Sequence, residues 1–88
     1  MNYTIASMKD FNGNQEIGID KYGSQYTVWH RNKAWSTFTR KTFDTIEEAE
    51  SLFLSLAKCF IRGEWSAEDR VKIMLAWSGA KHIEEESA

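Results

Sequence analysis

The first half of the chain alternates apolar and polar positions with a period of two. The second half repeats its apolar positions every three or four. In "YTIASM", residues 3–8, Tyr3 and Ile5 fall on one side of an extended strand, and Ala6 and Met8 on the other. Asn12-Gly13-Asn14 follows, a turn signal because Asn and Gly accept the positive φ of tight hairpins. "EIGIDKY" then sets Ile17 and Ile19 two apart, and Gly18 between them marks a bulge or the close approach of another backbone. Tyr22-Gly23-Ser24 is the next turn, and the β-rich runs "QYTVWHR" and "WSTFTRKTF" flank Arg31-Asn32-Lys33-Ala34. Hairpins in series predict a four-stranded antiparallel meander.

The period changes in "FDTIEEAESLFLSLAKCFIRG". Ile46, Ala49, Leu52, Phe53, Leu56, Ala57, Phe60 and Ile61 form one wide helical face. Two overlapping N-cap patterns open the helix, Asp44 with Glu47 and Thr45 with Glu48. Acids in the first turns, with Lys58 and Arg62 near the end, suit the helix dipole, and Gly63 suits the position after the helix. A second helix starts after Ser66, a capping residue, and stops before Gly79. Its inward stripe is read as Val71, Met74, Leu75 and Ser78, with Ile73 and Trp77 as a second stripe. The segment "KHIEEESA" is polar and reads as a flexible acidic tail, residues 80–88, after a single α+β domain over residues 1–79. The fold expected is an α+β domain, a four-stranded antiparallel β-meander followed by two α-helices packed on one face.

Which aromatics reach the open face of such a sheet depends on the register of the Tyr26–Lys41 hairpin, because a slip of one residue inverts every side chain. An even-length loop puts Trp29 and Phe38 on one face, and Tyr26, Val28 and Trp35 on the other. A three-residue loop sends Tyr26, Val28 and Phe38 inward. It turns Thr27, Trp29, Arg31, Trp35, Thr37, Thr39 and Lys41 outward. Either register leaves a Trp, some Thr and a basic residue exposed, as a binding face would.

Composition sharpens this picture. The 88 residues include four Trp, three Tyr and five Phe, so a small core relies on bulky side chains. The net charge of −2 hides a polarity: residues 21–43 hold five Lys or Arg and no acid, leaving six basic and thirteen acidic residues elsewhere. No apolar run approaches the roughly 20 residues that cross a bilayer. The opening "MNYTIASMKD" has no signal-peptide pattern, and the lone Cys59 has no disulfide partner, so a cytoplasmic setting is expected.

Catalytic chemistry finds little support. His30 sits within a strand, His82 in the polar tail, and Cys59 on the apolar stripe near a helix C-terminus, the wrong end for lowering a thiol pKa. No Ser/His/Asp arrangement, phosphate-binding Gly loop or zinc spacing is present. The expectation is a protein that is not an enzyme and needs no cofactor or metal. Two binding readings remain. Trp29 and Trp35 with Arg31, Lys33, Arg40 and Lys41 could stack bases and neutralise phosphates of single-stranded nucleic acid, although no RNP1-type motif is present and the rest of the chain is acidic. The same residues suit a protein interface, since Trp, Tyr and Arg dominate hot spots. Glu47, Glu48 and Glu50 could then meet a basic groove on the partner. The partner expected first is a protein, either a nucleic-acid enzyme or a second copy of this chain, with nucleic acid as the alternative and no membrane.

The run "YTVWHRNKAWSTFTRKTFDTIEEAESLFLSLAK", residues 26–58, is similar to strand-strand-helix units of small bacterial and phage accessory proteins. Size, acidity and aromatic content resemble small phage-encoded host-takeover proteins, among them anti-CRISPR inhibitors. That resemblance implies stoichiometric inhibition of a bacterial defence or nucleic-acid enzyme through protein binding. It assigns no residue.

Overall fold

The computed structural model describes residues 2–34, 36–63, 66–77 and 81–84. Strands β1 (Tyr3–Lys9), β2 (Gln15–Tyr22), β3 (Gln25–Asn32) and β4 (Thr37–Phe43) precede helices α1 (Ile46–Arg62) and α2 (Ala67–Ala76), and a last strand, β5 (Lys81–Glu84), follows. The strands form one antiparallel sheet in the order β1-β2-β3-β4-β5. The expected meander and both helices are therefore present, with one strand added.

Turn chemistry fixes the meander. At the first turn, the Asp10 backbone N–H donates to the Gln15 carbonyl at 2.9 Å, and the Asp10 carboxylate accepts from the Gln15 N–H at 3.1 Å. The second turn has only Gly23 and Ser24 between the paired Tyr22 and Gln25. Gly23 takes φ 64° and Ser24 a negative φ, the type II′ pattern whose twist matches the flanking strands.

The sheet buries Ile17, Ile19 and Val28 against Ala49, Leu52, Leu56, Cys59 and Phe60 of α1. Of the two N-cap patterns, the Thr45 one operates: its hydroxyl oxygen accepts from the Glu48 N–H at 3.4 Å and donates to the Glu48 carboxylate at 2.9 Å. Asp44 instead accepts from the Gln25 side-chain amide at 3.0 Å. Gly63 ends α1 with φ 71°, its N–H returning to the Cys59 carbonyl. Ser66 caps α2 through the Asp69 N–H at 3.1 Å, and Arg62 reaches the Asp69 carboxylate at 2.7 Å, joining the end of α1 to the start of α2. Hydrogen bonds, first from Ser66, together with the Arg62 charge hold the Asp69 carboxyl below its ordinary pKa.

Three expectations need correction. Lys81–Glu84 is not a free tail: Arg40 pairs with Lys81, Thr39 with His82, Phe38 with Ile83 and Thr37 with Glu84. The outer edge of β4 offers unpaired backbone groups, and a further strand can join them through its backbone alone. Residues 85–88 of the expected tail lie outside the described residues. Next, α2 turns the other stripe inward. Ile73 is buried, with Ala76 and Trp77 packed beside it, while Val71, Met74 and Leu75 are more than half exposed. Both stripes satisfy the helical period. Docking against α1, reinforced by the Lys41 ammonium donating to the Ala76 carbonyl at 2.9 Å, selects the Ile73 side. Ser78 lies outside the described residues. Finally, a register shift between Thr4 and Ala6 leaves Ile5 as an extra residue in β1. Tyr3, opposite Lys21, therefore shares its face with Ala6 and Met8 instead of opposing them.

Candidate functional site

The helices cover the sheet face that carries Ile17, Ile19 and Val28, so the residues of opposite parity make the open face. Cross-strand register settles which these are. On β3 and β4, Thr27 pairs with Thr42, Trp29 with Arg40 and Arg31 with Phe38. On β2, Asp20, Gly18 and Glu16 lie opposite the same three β3 residues. The parity is that of the even-length loop, with residues 33–36 as the loop. Trp29 and Phe38 share the open face, and Tyr26 and Val28 the covered one.

Gly18 is the seat of the site. A Cβ built there would overlap Cζ2, Cε2 and Nε1 of the Trp29 indole, so the ring lies across the β2 backbone in space that only glycine leaves open. The close approach expected at Gly18 is made by an indole rather than a neighbouring backbone. Phe38 packs beside the indole, with centroids 6.2 Å apart and planes tilted by 33°. The Arg31 guanidinium carbon stands 5.2 Å from the Phe38 centroid, within cation–π range. Arg40 is exposed on the same face. The result is a patch of indole, phenyl and two guanidinium groups, held on paired strands rather than on a loop. Beside it lie Glu16 and Asp20; the latter accepts from the Thr4 hydroxyl at 2.9 Å.

The sequence-derived site residues thus divide. Trp29, Arg31 and Arg40 come together. Lys33 sits at the β3–β4 turn, at one end of the sheet, where its N–H donates to the Asn14 carbonyl at 2.8 Å. Trp35 lies outside the described residues. Lys41 is on the helix-covered face, over Phe43 and bonded to the end of α2, because its partner in β3 is Val28. Glu47, Glu48 and Glu50 are exposed on the first turns of α1, in the layer behind the sheet, with Glu48 engaged by the Thr45 cap. Phe38 and Gly18 belong to the patch and were not singled out for it. Only the register pairs Phe38 with Arg31, and Gly18 within a core strand was the one available signal of the indole's seat.

The titratable groups elsewhere serve the fold. His30, on the covered face, shares a hydrogen bond with the Gln15 side chain at 2.9 Å and meets Phe60 edge-on. Burial lowers its pKa, against a smaller opposing effect of Asp10. Cys59 is fully buried, and burial raises its thiol pKa. Among the described residues no group of His, Cys, Asp and Glu is arranged to hold a metal ion, and no helix is long and apolar enough to cross a membrane.

Comparison with protein-family models, curated proteins and solved structures gives no match for this chain.

Proposed function

We propose that this protein is a non-enzymatic binding module that recognises another protein through the open face of its sheet, with Trp29, Phe38, Arg31 and Arg40 as the contact residues. The observation that carries the reading is the seat of Trp29. An indole laid on Gly18, flanked by Phe38 and with Arg31 beside that ring, stands on the side of the sheet that neither helix covers. Aromatic side chains on rigid strands lose little conformational freedom on binding, and aromatic and Arg residues make the strongest interface anchors. The concrete form proposed is stoichiometric inhibition of a bacterial defence or nucleic-acid enzyme, as the resemblance to anti-CRISPR proteins implies.

Single-stranded nucleic acid is the second reading, favoured by two guanidinium groups beside a half-buried aromatic pair on the open face. It is weakened by charge placement. Lys41 faces the helices, Lys33 sits at the sheet's end, and Glu16 and Asp20 border the patch, where they would repel phosphates.

The test pairs capture from bacterial lysate with oligonucleotide titration, using wild type and the Trp29→Ala and Arg31→Glu, Arg40→Glu variants after a melting check. The proposal expects a protein captured stoichiometrically by wild type and at least about thirty-fold weaker binding by Trp29→Ala, the loss of a hot spot of about 2 kcal/mol. Tight, salt-sensitive binding of single-stranded DNA or RNA that the double reversal abolishes would replace it with the second reading.

A further inference from the structure

Helix α2 is apolar on two opposite sides. Ile73 and Trp77 face the core. With about 3.6 residues per turn, Val71 and Leu75 project to the side diametrically opposite Ile73, and Met74 and Ala67 border them. Val71 is 52%, Met74 65% and Leu75 66% exposed, all on one ten-residue helix. An exposed apolar stripe of this kind, bordered by charged residues, marks an interaction surface.

The charges beside the stripe indicate what covers it. Glu68 and Lys72 lie one turn apart on a single flank, a spacing that suits an ion pair within the helix. Neither has a partner among the described residues, whereas Arg62 and Asp69 nearby are paired with each other. When two copies of a helix pack antiparallel about a two-fold axis, each flank meets the same flank of its mate. An axis passing near Arg70 and Val71 sets Glu68 opposite Lys72 of the second copy, and Lys72 opposite Glu68. Apolar stripe and charged rim are then matched by the same helix running the other way, the self-complementarity that an isologous interface requires.

We infer that α2 is a self-association helix: a second copy of this chain packs its own α2 antiparallel across Val71, Met74 and Leu75, with reciprocal Glu68–Lys72 pairs along one rim. The interface is small. Its apolar side chains fall short of the about 800 Å² per partner of a stable complex, and Arg70 meets its own mate on the other rim. The dimer is therefore reversible and concentration-dependent. It leaves the open sheet face of each copy free, because α2 lies on the other side of the sheet.

Sedimentation velocity on the whole chain, from about 10 μM to about 1 mM, tests this. The weight-average mass should climb from the 10.2 kDa monomer toward twice that value. Leu75→Glu alters a mostly exposed position, so it should keep the wild-type melting profile and remain monomeric throughout. Glu68→Lys should weaken association at least several-fold, and Glu68→Lys with Lys72→Glu should restore it, because the swapped charges again face each other. Wild type that stays monomeric at about 1 mM overturns the inference. So does a dimer indifferent to Leu75→Glu, or a double swap no better than the single one.

Discussion

Gly18→Ala should destabilise this protein, although the same exchange in an ordinary strand does the opposite. Glycine within a strand costs about 0.5–1 kcal/mol relative to alanine, so a Cβ in open space should stabilise by that amount. At Gly18 the new carbon would overlap three atoms of the Trp29 indole. Inserting a methyl group into occupied space costs about 1–3 kcal/mol, as side chains leave their rotamers and the backbone shifts. The difference leaves a net loss on the order of 1–2 kcal/mol. At about 2.1 cal/mol/K of unfolding entropy per residue, a chain of 88 residues should then melt about 5–10 °C lower. The sharper readout is a double-mutant cycle followed by circular dichroism. In a Trp29→Ala background the obstacle is gone, so Gly18→Ala should become neutral or stabilising, and the coupling between the sites should be about 1 kcal/mol or more. The reasoning is refuted if Gly18→Ala raises the wild-type melting temperature, or if its effect is the same with and without the indole.

Leu56 is fully buried between α1 and the sheet, and Leu56→Ala should cost about 2–5 kcal/mol in a denaturant titration; an unchanged midpoint would mean the helix face is wrong. Because burial lowers the His30 pKa in the fold, the unfolded chain takes up its proton first, at about pH 6.5. Stability from this group is fully present above that pH and is lost as pH falls toward the folded pKa, so the urea midpoint should drop between pH 7.5 and 5.5, with a smaller drop in His30→Gln. Cys59, buried and with a raised pKa, should react with a thiol reagent in the native state at a small fraction of its unfolded rate; fast native labelling would contradict its packing.

Most of the architecture was legible because local signals agreed with one another. Asn12-Gly13, Gly23, the Thr45 cap and Gly63 each mark a boundary, and the period of Ala49, Leu52, Leu56 and Phe60 names the buried side of α1 without reference to any other part of the chain. Where a choice depended on distant contacts, the sequence left it open. The two stripes of α2 differ only in what they dock against, and Lys41 with its Ala76 carbonyl is part of that answer. The extra residue at Ile5 changes no composition signal, yet it moves Tyr3 to the other face. Lys81–Glu84 carries too little apolar character to read as a strand, since what recruits it is a backbone ladder. At the site, Trp29, Arg31 and Arg40 could be read from one register of the hairpin. The same register sets Phe38 beside Trp29 and turns Lys41 away, but the choice of this register over the three-residue loop followed only once the loop was known to run from 33 to 36.

The pairing of β5 with β4 also sets an order of events during synthesis. Strands β1 to β4 meet through short turns, so each can join its neighbour soon after it leaves the ribosome. β5 starts at Lys81, 38 residues after β4 ends at Phe43, with both helices between them. At about 5–20 residues per second, the outer edge of β4 stays unpaired for about 2–8 seconds in every nascent chain. During that interval Arg40 and Lys41 are the side chains that keep a foreign strand from adding to the edge, as charges on exposed strands do. Replacement of Arg40 by Thr or Val should therefore show first as a lower soluble yield from translation, before any change in the melting of the finished protein; Lys41 also holds the Ala76 carbonyl, so its replacement should lower both.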